Sequence, residues 1–390
     1  MNETIYMPVG EVCSSISDTY REKKNLVTLI NTSDVLEGRV LNHERVPNSN
    51  LKGQFKKTFQ RDDILYSEIR PQNRRFAYVD FSPIDYIAST KLMVIRAKKD
   101  VVSPKYLYYF LKNSSTVAEL QLLAETRSGT FPQITFSEVA NLTIPVPPLA
   151  VQEVIVQTMQ CLEDKTICNE QINDNLQQQL FSLYENMATA SPCLKEYTLS
   201  NLCDFQEGYV NPPQTHPEYF DGEVKWLRAV DINESFIIET SRTLTKAGFE
   251  SAKKSALLFE PNTIAISKSG TIGRLGIIAD YMCGNRAVIN IAPHDTNMLA
   301  FIYCFLKSKQ REFPDMAVGS VQKNLYVSLL EPLSVSIPDN ESLTAFNAVG
   351  ASILGMIHNN CVENTDLANL RDTILPKPMS GEIDVSSVLL

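Results

Sequence analysis

Short apolar runs separated by polar turns fill two large parts of the chain, and a long stretch with helical periodicity follows each of them. The runs 26–35 (LVTLINTSDV) and 224–232 (VKWLRAVDI) are rich in apolar residues and reach an aspartate, which is typical of a strand that enters a turn. In 104–112 the aromatic residues and leucines fall on one face, and Pro104 suits the first turn of a helix. This mixture of strands and short helices predicts compact α+β modules.

The two periodic stretches predict two long helices. Residues 151–188 contain no proline or glycine and place apolar residues at three- and four-residue spacing, and residues 346–374 repeat the pattern. Polar residues interrupt both stripes near the middle, namely Thr166, Asn169, Asn173, Asn360 and Asn364. An apolar stripe on so long a helix has to be buried, so we expect an antiparallel coiled-coil-like pair, with Asn169 and Asn360 as candidates for fixing its register. The alternative is two separate helices, each packed on its own module.

The second half of the chain repeats the first, with an offset that falls from about 200 to about 190 residues. The segment 62–80 (DDILYSEIRPQNRRFAYVD) aligns with 262–280 (NTIAISKSGTIGRLGIIAD), and 128–148 aligns with 318–339. Insertions and deletions between such blocks are expected in loops. Two related modules indicate two related tasks. The predicted order is a first module at 1–149, a central long helix at 150–190, a second module at 191–339, and a C-terminal long helix with a tail at 340–390.

Size and composition are those of a globular protein with two cores. The chain has 390 residues, of which 44% are hydrophobic and 21% are charged. No apolar run reaches the roughly 18–20 residues of a membrane-spanning helix, and the N-terminus lacks the pattern of a secretory signal. We therefore expect a cytoplasmic protein without membrane contact. The eight cysteines form no Cys-x-x-Cys pair, and no metal site is predicted.

Charge is distributed unevenly along the chain, although the net charge is −9. Residues 21–75 hold twelve Lys and Arg against seven Asp and Glu, whereas residues 151–190 hold one Lys against six acidic residues. A basic module beside an acidic connector fits a protein that touches phosphate in one place and a protein partner in another. Uneven but solvated surface charge is the alternative that this distribution leaves open.

The order of these elements resembles the specificity (S) subunit of type I restriction–modification enzymes. Three segments carry most of the resemblance: 128–155 (SGTFPQITFSEVANLTIPVPPLAVQEVI), 207–232 (EGYVNPPQTHPEYFDGEVKWLRAVDI) and 363–385 (ENTDLANLRDTILPKPMSGEIDV). In the third, a helix runs into an ending similar to the family's Leu-Pro-x-Leu-Met-Ser-Gly-Glu-Ile. The resemblance covers essentially the whole chain, and the polar interruptions of the helical stripes depart from the commoner layout.

The resemblance implies a fold and a set of partners. Each module would be a target-recognition domain that reads one half of a bipartite sequence in double-stranded DNA. The helices would set the gap and dock methyltransferase (M) subunits, of which two are expected, and restriction (R) subunits would join them. S-adenosylmethionine would belong to the M subunits, so this chain is expected to bind no cofactor and to catalyse nothing. Half-sites on successive major-groove faces would lie ~34–36 Å apart.

Candidate DNA-binding residues cluster on the predicted loops. Arg and Lys suit guanine, and Asn and Gln suit adenine. The first-module candidates are Lys56, Lys57, Arg70, Gln72, Asn73, Arg74, Arg75, Arg127 and Gln133, and the second-module candidates are Lys268, Ser269, Thr271, Arg274, Gln322, Lys323 and Asn324. Lys56 and Lys57 are expected to contact phosphate, which positions the protein without specifying sequence. Ordinary solvated surface is the alternative for any one of these residues.

Two other functions compete with DNA reading. The segment NPPQ (211–214) is similar to the Asn-Pro-Pro-aromatic loop of amino-group DNA methyltransferases, but Gln214 replaces the aromatic residue that stacks on the flipped base. A proline turn explains the segment better, and a divergent methyltransferase is the weaker alternative. The other alternative is a tandem-module scaffold that holds two protein partners and does not touch DNA.

Overall fold

The computed structural model describes residues 4–49, 53–127, 131–190, 195–320 and 322–374, together with residues 377 and 379. The chain divides into unit 1, which contains residues 1–164 and 367–390, and unit 2, which contains residues 165–366. Of the segments that carry the resemblance, 128–130 and most of the stretch after Ile374 lie outside the described residues.

Unit 1 contains twelve strands in the described part of the chain. They are β1 (Ile5–Pro8), β2 (Cys13–Ile16), β3 (Leu26–Ile30), β4 (Val35–Leu36), β5 (Arg39–Val40), β6 (Val46–Pro47), β7 (Phe55–Lys57), β8 (Ile64–Ser67), β9 (Phe76–Tyr78), β10 (Tyr86–Ser89), β11 (Leu92–Ala97) and β12 (Thr143–Val146). The helices that begin in this unit are α1 (Val9–Val12), α2 (Pro104–Lys112), α3 (Ser114–Arg127), α4 (Phe136–Asn141) and α5 (Leu149–Ala190), of which α5 continues into unit 2.

Two four-stranded sheets form the framework of unit 1. Their strand orders are β2-β11-β8-β9 and β6-β3-β10-β7. The amphipathic helix α2 buries Tyr106 and Tyr109 in the same core as Tyr66 and Phe76, and the rings of the last two stack with their centroids 5.4 Å apart. Large buried aromatic side chains contribute most of the apolar area that such a core removes from water. This core fixes the end of β8, where the first candidate loop begins.

Unit 2 repeats this plan. Its described strands are β13 (Lys195–Thr198), β14 (Cys203–Glu207), β15 (Phe220–Leu227), β16 (Phe236–Ile237), β17 (Thr243–Leu244), β18 (Ile264–Ser267), β19 (Leu275–Ile278), β20 (Cys283–Gly284), β21 (Val288–Pro293) and β22 (Ser334–Ile337). Its helices are α6 (Lys246–Glu250), α7 (Leu299–Lys309), α8 (Phe313–Met316), α9 (Val327–Leu330) and α10 (Asn340–Ile374), of which α10 continues into unit 1.

The main sheets of the two units have the same strand order and the same register. The order β14-β21-β18-β19-β16 matches β2-β11-β8-β9 and adds one strand. Leu92 pairs with Ser67 in unit 1, and Val288 pairs with Ser267 in unit 2. The sequence repeat is therefore a structural repeat, and the prediction of tandem α+β modules is confirmed.

Within unit 2, α5 and α10 pack against each other in opposite directions. Asn169 contacts Asn364, whereas further along α5 the ring of Tyr184 lies 6.1 Å from the ring of Phe346. At Gly350 a Cβ would come within 2.6 Å of the side chain of Ala300, so only glycine lets α10 approach α7 this closely. The predicted antiparallel helix pair is confirmed.

The polar interruptions form the centre of this pairing, where Asn169 and Asn360 each bond to a different residue of the other helix. Nδ2 of Asn360 donates to Oδ1 of Asn173 at 2.8 Å, whereas Nδ2 of Asn169 donates to Asn364 at 2.9 Å and to Glu363 at 2.7 Å. Asn169 and Asn173 are both buried. Sequence alone could not choose between residues that repeat every turn along the same stripe.

None of the helices in the described ranges is long and apolar enough to cross a membrane. The same ranges hold no group of three or more His, Cys, Asp and Glu residues that could bind a metal ion. Their seven cysteines are free thiols.

Candidate nucleic-acid interface

The loop after β8 and the loop after β18 occupy equivalent places. In unit 1 the N–H of Ile134 donates to the carbonyl of Glu68, and in unit 2 the N–H of Leu325 donates to the carbonyl of Lys268, both at 2.9 Å. Each bond ties the first loop, 68–75 or 268–274, to the segment that carries the second predicted cluster. The structure therefore brings the two clusters of each module together, although more than forty residues separate them in sequence.

Both loops use left-handed backbone conformations, but with different residues. In unit 1 they occur at Arg70 (φ 43°) and Arg74 (φ 51°), and in unit 2 at Gly270 (φ 77°) and Gly273 (φ 86°). Glycine adopts this region without a Cβ penalty, whereas other residues there cost on the order of 1 kcal/mol or more. Strained non-glycine residues cluster at functional sites. Unit 1 thus keeps two arginines in a conformation that disfavours them.

Two arginines of the first loop are bound to the protein itself. Nη2 of Arg74 donates to Oγ of Ser114 at 2.8 Å, and Nη1 of Arg75 donates to the carbonyl of Ser33 at 3.1 Å. Both side chains are half-buried. Their guanidinium groups are therefore partly committed to holding the loop.

The remaining candidates of this loop face solvent. Arg70, Gln72 and Asn73 are exposed. The guanidinium of Arg70 makes no hydrogen bond or ion pair with the part of the chain that the structure describes, so its donors are available to a ligand. Among the three arginines of the loop, Arg70 has the geometry best suited to contact DNA.

The second cluster of unit 1 lines a hollow of about 360 Å³, whose walls are Arg127, Phe131, Gln133 and Thr135. The exposed guanidinium of Arg127 donates to Oε1 of Glu138 at 2.6 Å. Burial of the Glu138 carboxyl raises its pKa, but hydrogen bonds from Thr135 and the charge of Arg127 outweigh this, so the pKa lies below its usual value. Arg127 is thus oriented by a carboxylate at the rim of the hollow.

The two predicted phosphate contacts differ in exposure. Lys56 is exposed, whereas Lys57 is half-buried. Nζ of Lys57 donates to the carbonyls of Thr90 (3.2 Å) and Leu92 (2.7 Å), so it braces the turn between β10 and β11. Burial lowers the pKa of Lys57, although the Glu68 carboxylate opposes that effect. Lys56 is the better placed of the two for phosphate.

In unit 2, Lys268 is enclosed by other side chains. Its Nζ lies 2.8 Å from Oε1 of Glu207 and 4.8 Å from the ring centre of Tyr326. The hydroxyl of Tyr209 donates to the other Glu207 oxygen at 2.8 Å. Burial raises the pKa of Glu207, but the hydrogen bonds from Lys268 and Tyr209 outweigh it and hold the pKa below its usual value. The lysine side chain is only 14% exposed.

The other candidates of unit 2 are more accessible. Thr271, Gln322 and Lys323 are exposed, whereas Ser269, Arg274 and Asn324 are half-buried. The backbones of Val318 and Asn324 exchange hydrogen bonds of 3.0 and 2.9 Å, which closes the second loop into a tight turn. Gln322 and Lys323 therefore lie on the loop that these two bonds close.

Sequence reasoning missed several residues beside these loops. A hollow of about 560 Å³ in unit 2 is lined by Tyr209, Asn211, Pro213, Tyr219, Glu250, Ser251, Ala252, Lys253, Ser255 and Arg286. The segment NPPQ lies at its edge, and Gln214 there accepts a hydrogen bond from Arg242 at 2.9 Å. In unit 1 the missed residues are Glu68 and Lys91, whose charged groups lie 3.4 Å apart. The sequence held one signal that this position matters: Glu68 of the first copy aligns with Lys268 of the second, so the charge is reversed between the copies.

Comparisons with known proteins identify relatives over nearly the whole chain. The sequence profile of a family described as Type I restriction modification DNA specificity domain matches residues 5–178 and again residues 194–365. The type I restriction enzyme HindI specificity subunit of Haemophilus influenzae is 27% identical over 434 aligned positions, which cover 92% of this chain and 94% of that protein. The MjaIX specificity subunit of Methanocaldococcus jannaschii is 24% identical over 79% of this chain and 77% of its own length.

A solved structure shows the same fold. The crystal structure of a type I restriction-modification S subunit from M. genitalium superposes with a TM-score of 0.50 at 17% identity. The match covers 97% of this chain and 96% of that one.

Proposed function

Because this chain belongs to the type I restriction modification DNA specificity family, we propose that its two units each read one half of a split DNA target. The chain is then the sequence-reading component of a complex in which methyltransferase and restriction subunits carry out the chemistry. Its long helices set the number of base pairs between the half-sites and dock the methyltransferase subunits, of which two similar modules would accommodate two.

The observation that carries this proposal is the pair of equivalent but differently equipped loop clusters. Both units hold the same backbone frame at Glu68 and Lys268. Unit 1 presents Arg70, Gln72 and Asn73 on its loop, whereas unit 2 presents Thr271 there. A shared frame with different donors and acceptors is what reading two different base sequences requires.

The exposed residues divide by role. Lys56 and Lys323 suit phosphate oxygens, where a point charge is enough. Arg70 suits guanine, and Gln72, Asn73 and Gln322 suit adenine, since their side chains can form two parallel hydrogen bonds with a base edge. Arg74, Arg75 and Lys57 support the loops from behind, since their own donors are bonded to the protein.

The test is the methylation pattern of cellular DNA when this chain is co-expressed with the methyltransferase of its own system. Single-molecule sequencing with and without the chain should show one split methylated motif that is present only with it. A soluble complex with the methyltransferase but no motif would instead favour the protein scaffold. Binding of S-adenosylmethionine by the isolated chain would favour the divergent methyltransferase.

A further inference from the structure

Lys91 stands on a braced turn at the edge of the unit 1 interface. The turn joins β10 to β11, and the two carbonyls that flank Lys91, those of Thr90 and Leu92, both accept hydrogen bonds from Nζ of Lys57. Beneath it, the N–H of Glu68 donates to the carbonyl of Lys91 at 3.0 Å. The backbone that carries Lys91 is therefore fixed on two sides.

The ammonium of Lys91 is oriented but not enclosed. Its Nζ lies 3.4 Å from Oε2 of Glu68 and 3.1 Å from Oε1 of Gln133. An ammonium has three N–H donors, and these two contacts use two of them. The side chain is 49% exposed, so the third donor can reach a ligand. Gln133 also lines the hollow of unit 1, which places Lys91 beside the second candidate cluster.

Unit 2 builds an ion pair on the same frame with the charges exchanged. Lys268 occupies the position of Glu68, and its partner Glu207 comes from the end of β14. Both side chains are sheltered, at 14% and 20% exposure, and Tyr209 and Tyr326 contact the pair from outside. Unit 1 therefore exposes the ammonium of Lys91 at this position. In unit 2 the phenol groups of Tyr209 and Tyr326 cover the ion pair instead.

We propose that Lys91 is a specificity-determining residue of unit 1 that contacts a guanine, with Glu68 and Gln133 as its positioning residues. A lysine donates to the O6 and N7 acceptors of guanine in the major groove. Its charge also neutralises Glu68, whose carboxylate would otherwise repel the DNA backbone. The inference deepens the proposed function and rests on it.

The experiment uses the full chain in its complex with the methyltransferase and compares Lys91→Met with the double variant Glu68→Gln/Lys91→Met. Lys91→Met should weaken DNA binding and relax the motif at a position of one half-site, lowering discrimination there roughly 10- to 100-fold. The double variant removes the unpaired carboxylate, so binding should recover while the motif stays relaxed. Lys91→Arg keeps donors for guanine and should keep the original motif.

A matched control is Lys99→Met. Lys99 follows β11 at its other end and pairs with Asp62 at 2.6 Å on an exposed surface, so its loss should leave the motif unchanged. The inference is overturned if Lys91→Met leaves the motif intact, or if the double variant restores both binding and the full motif, since Lys91 would then only neutralise Glu68. A wild-type complex without any split motif would overturn the proposed function itself.

Discussion

Asn360 donates a hydrogen bond of 2.8 Å to Asn173 in the middle of the helix pair of unit 2. A buried asparagine in a helical seam costs stability but disfavours registers in which it lacks a partner. One turn beyond Asn169 on α5, Lys165 forms an ion pair of 3.0 Å with Glu363 at the solvent edge of the same polar layer. The interrupted apolar stripe is thus a matched polar layer that fixes the register of the two helices.

This layer predicts strong coupling between Asn173 and Asn360. Asn173→Leu should destabilise the protein by about 1–3 kcal/mol, because the half-buried Asn360 loses the acceptor of its Nδ2. Replacing both residues with leucine should cost less than the single change. Urea unfolding of the two single variants and the double variant measures the coupling, and additive effects would contradict it.

A second prediction concerns the ion pair between Asp63 and Arg96 in unit 1. The Asp63 side chain is 1% exposed and accepts two hydrogen bonds of 2.7 Å from the guanidinium, and this pairing raises the pKa of Arg96. Asp63→Ala should destabilise the protein by about 3–5 kcal/mol, because it removes one partner of a largely buried pair. Lys99→Ala, which removes the exposed partner of the neighbouring ion pair with Asp62, is the control and should cost at most about 1 kcal/mol. Thermal unfolding measures both variants, and similar melting temperatures for Asp63→Ala and the control would contradict the prediction.

The arginines of the first loop should separate into a DNA contact and a support. Arg70→Ala should weaken DNA binding by about 1–3 kcal/mol and relax the motif at one position of a half-site, while the free energy of unfolding stays within about 0.5 kcal/mol of wild type. Arg75→Ala should instead destabilise the protein by about 1 kcal/mol, because its donors hold the carbonyls of Ser33 and Val35. Fluorescence anisotropy at several salt concentrations measures the DNA affinity of each variant, and urea unfolding measures its stability. Together the two measurements distinguish Arg70→Ala from Arg75→Ala.

Glu207 predicts a pH dependence of stability in unit 2. Its pKa in the folded protein lies below the ordinary value of 4.5, since hydrogen bonds from Lys268 and Tyr209 outweigh the effect of burial. A carboxyl whose folded pKa is depressed stabilises the fold above its unfolded pKa and loses that contribution as pH falls through the folded value. The stability difference between wild type and Glu207→Gln should therefore be constant above about pH 5 and shrink below about pH 4.5. A difference that does not change down to pH 3 would count against the assignment.

The internal repeat predicted two similar modules. The hydrophobic periodicity predicted the helix pair, because it shows which face of each helix must be buried. It also placed most of the candidate residues on loops between strands, whereas their contact with DNA stays a prediction. The orientations of those side chains were beyond it: Arg74 and Arg75 bond to groups some forty residues away, and no local pattern encodes such contacts. Lys91 escaped notice because unit 2 has Ala287 at the equivalent position, and the partner of Lys268 there is Glu207 from β14.

The pairing of the first and last strands of each unit has a mechanical consequence. Ile5 lies opposite Val146 in unit 1, and Lys195 lies opposite Ile337 in unit 2. In both cases the chain enters and leaves the strand pair at the same end. Tension applied between those two points loads the hydrogen bonds one after another, as in the opening of a zipper, rather than all at once in shear. Each of these strand pairs should accordingly open at a small pulling force, whatever the thermodynamic stability of the core beside it.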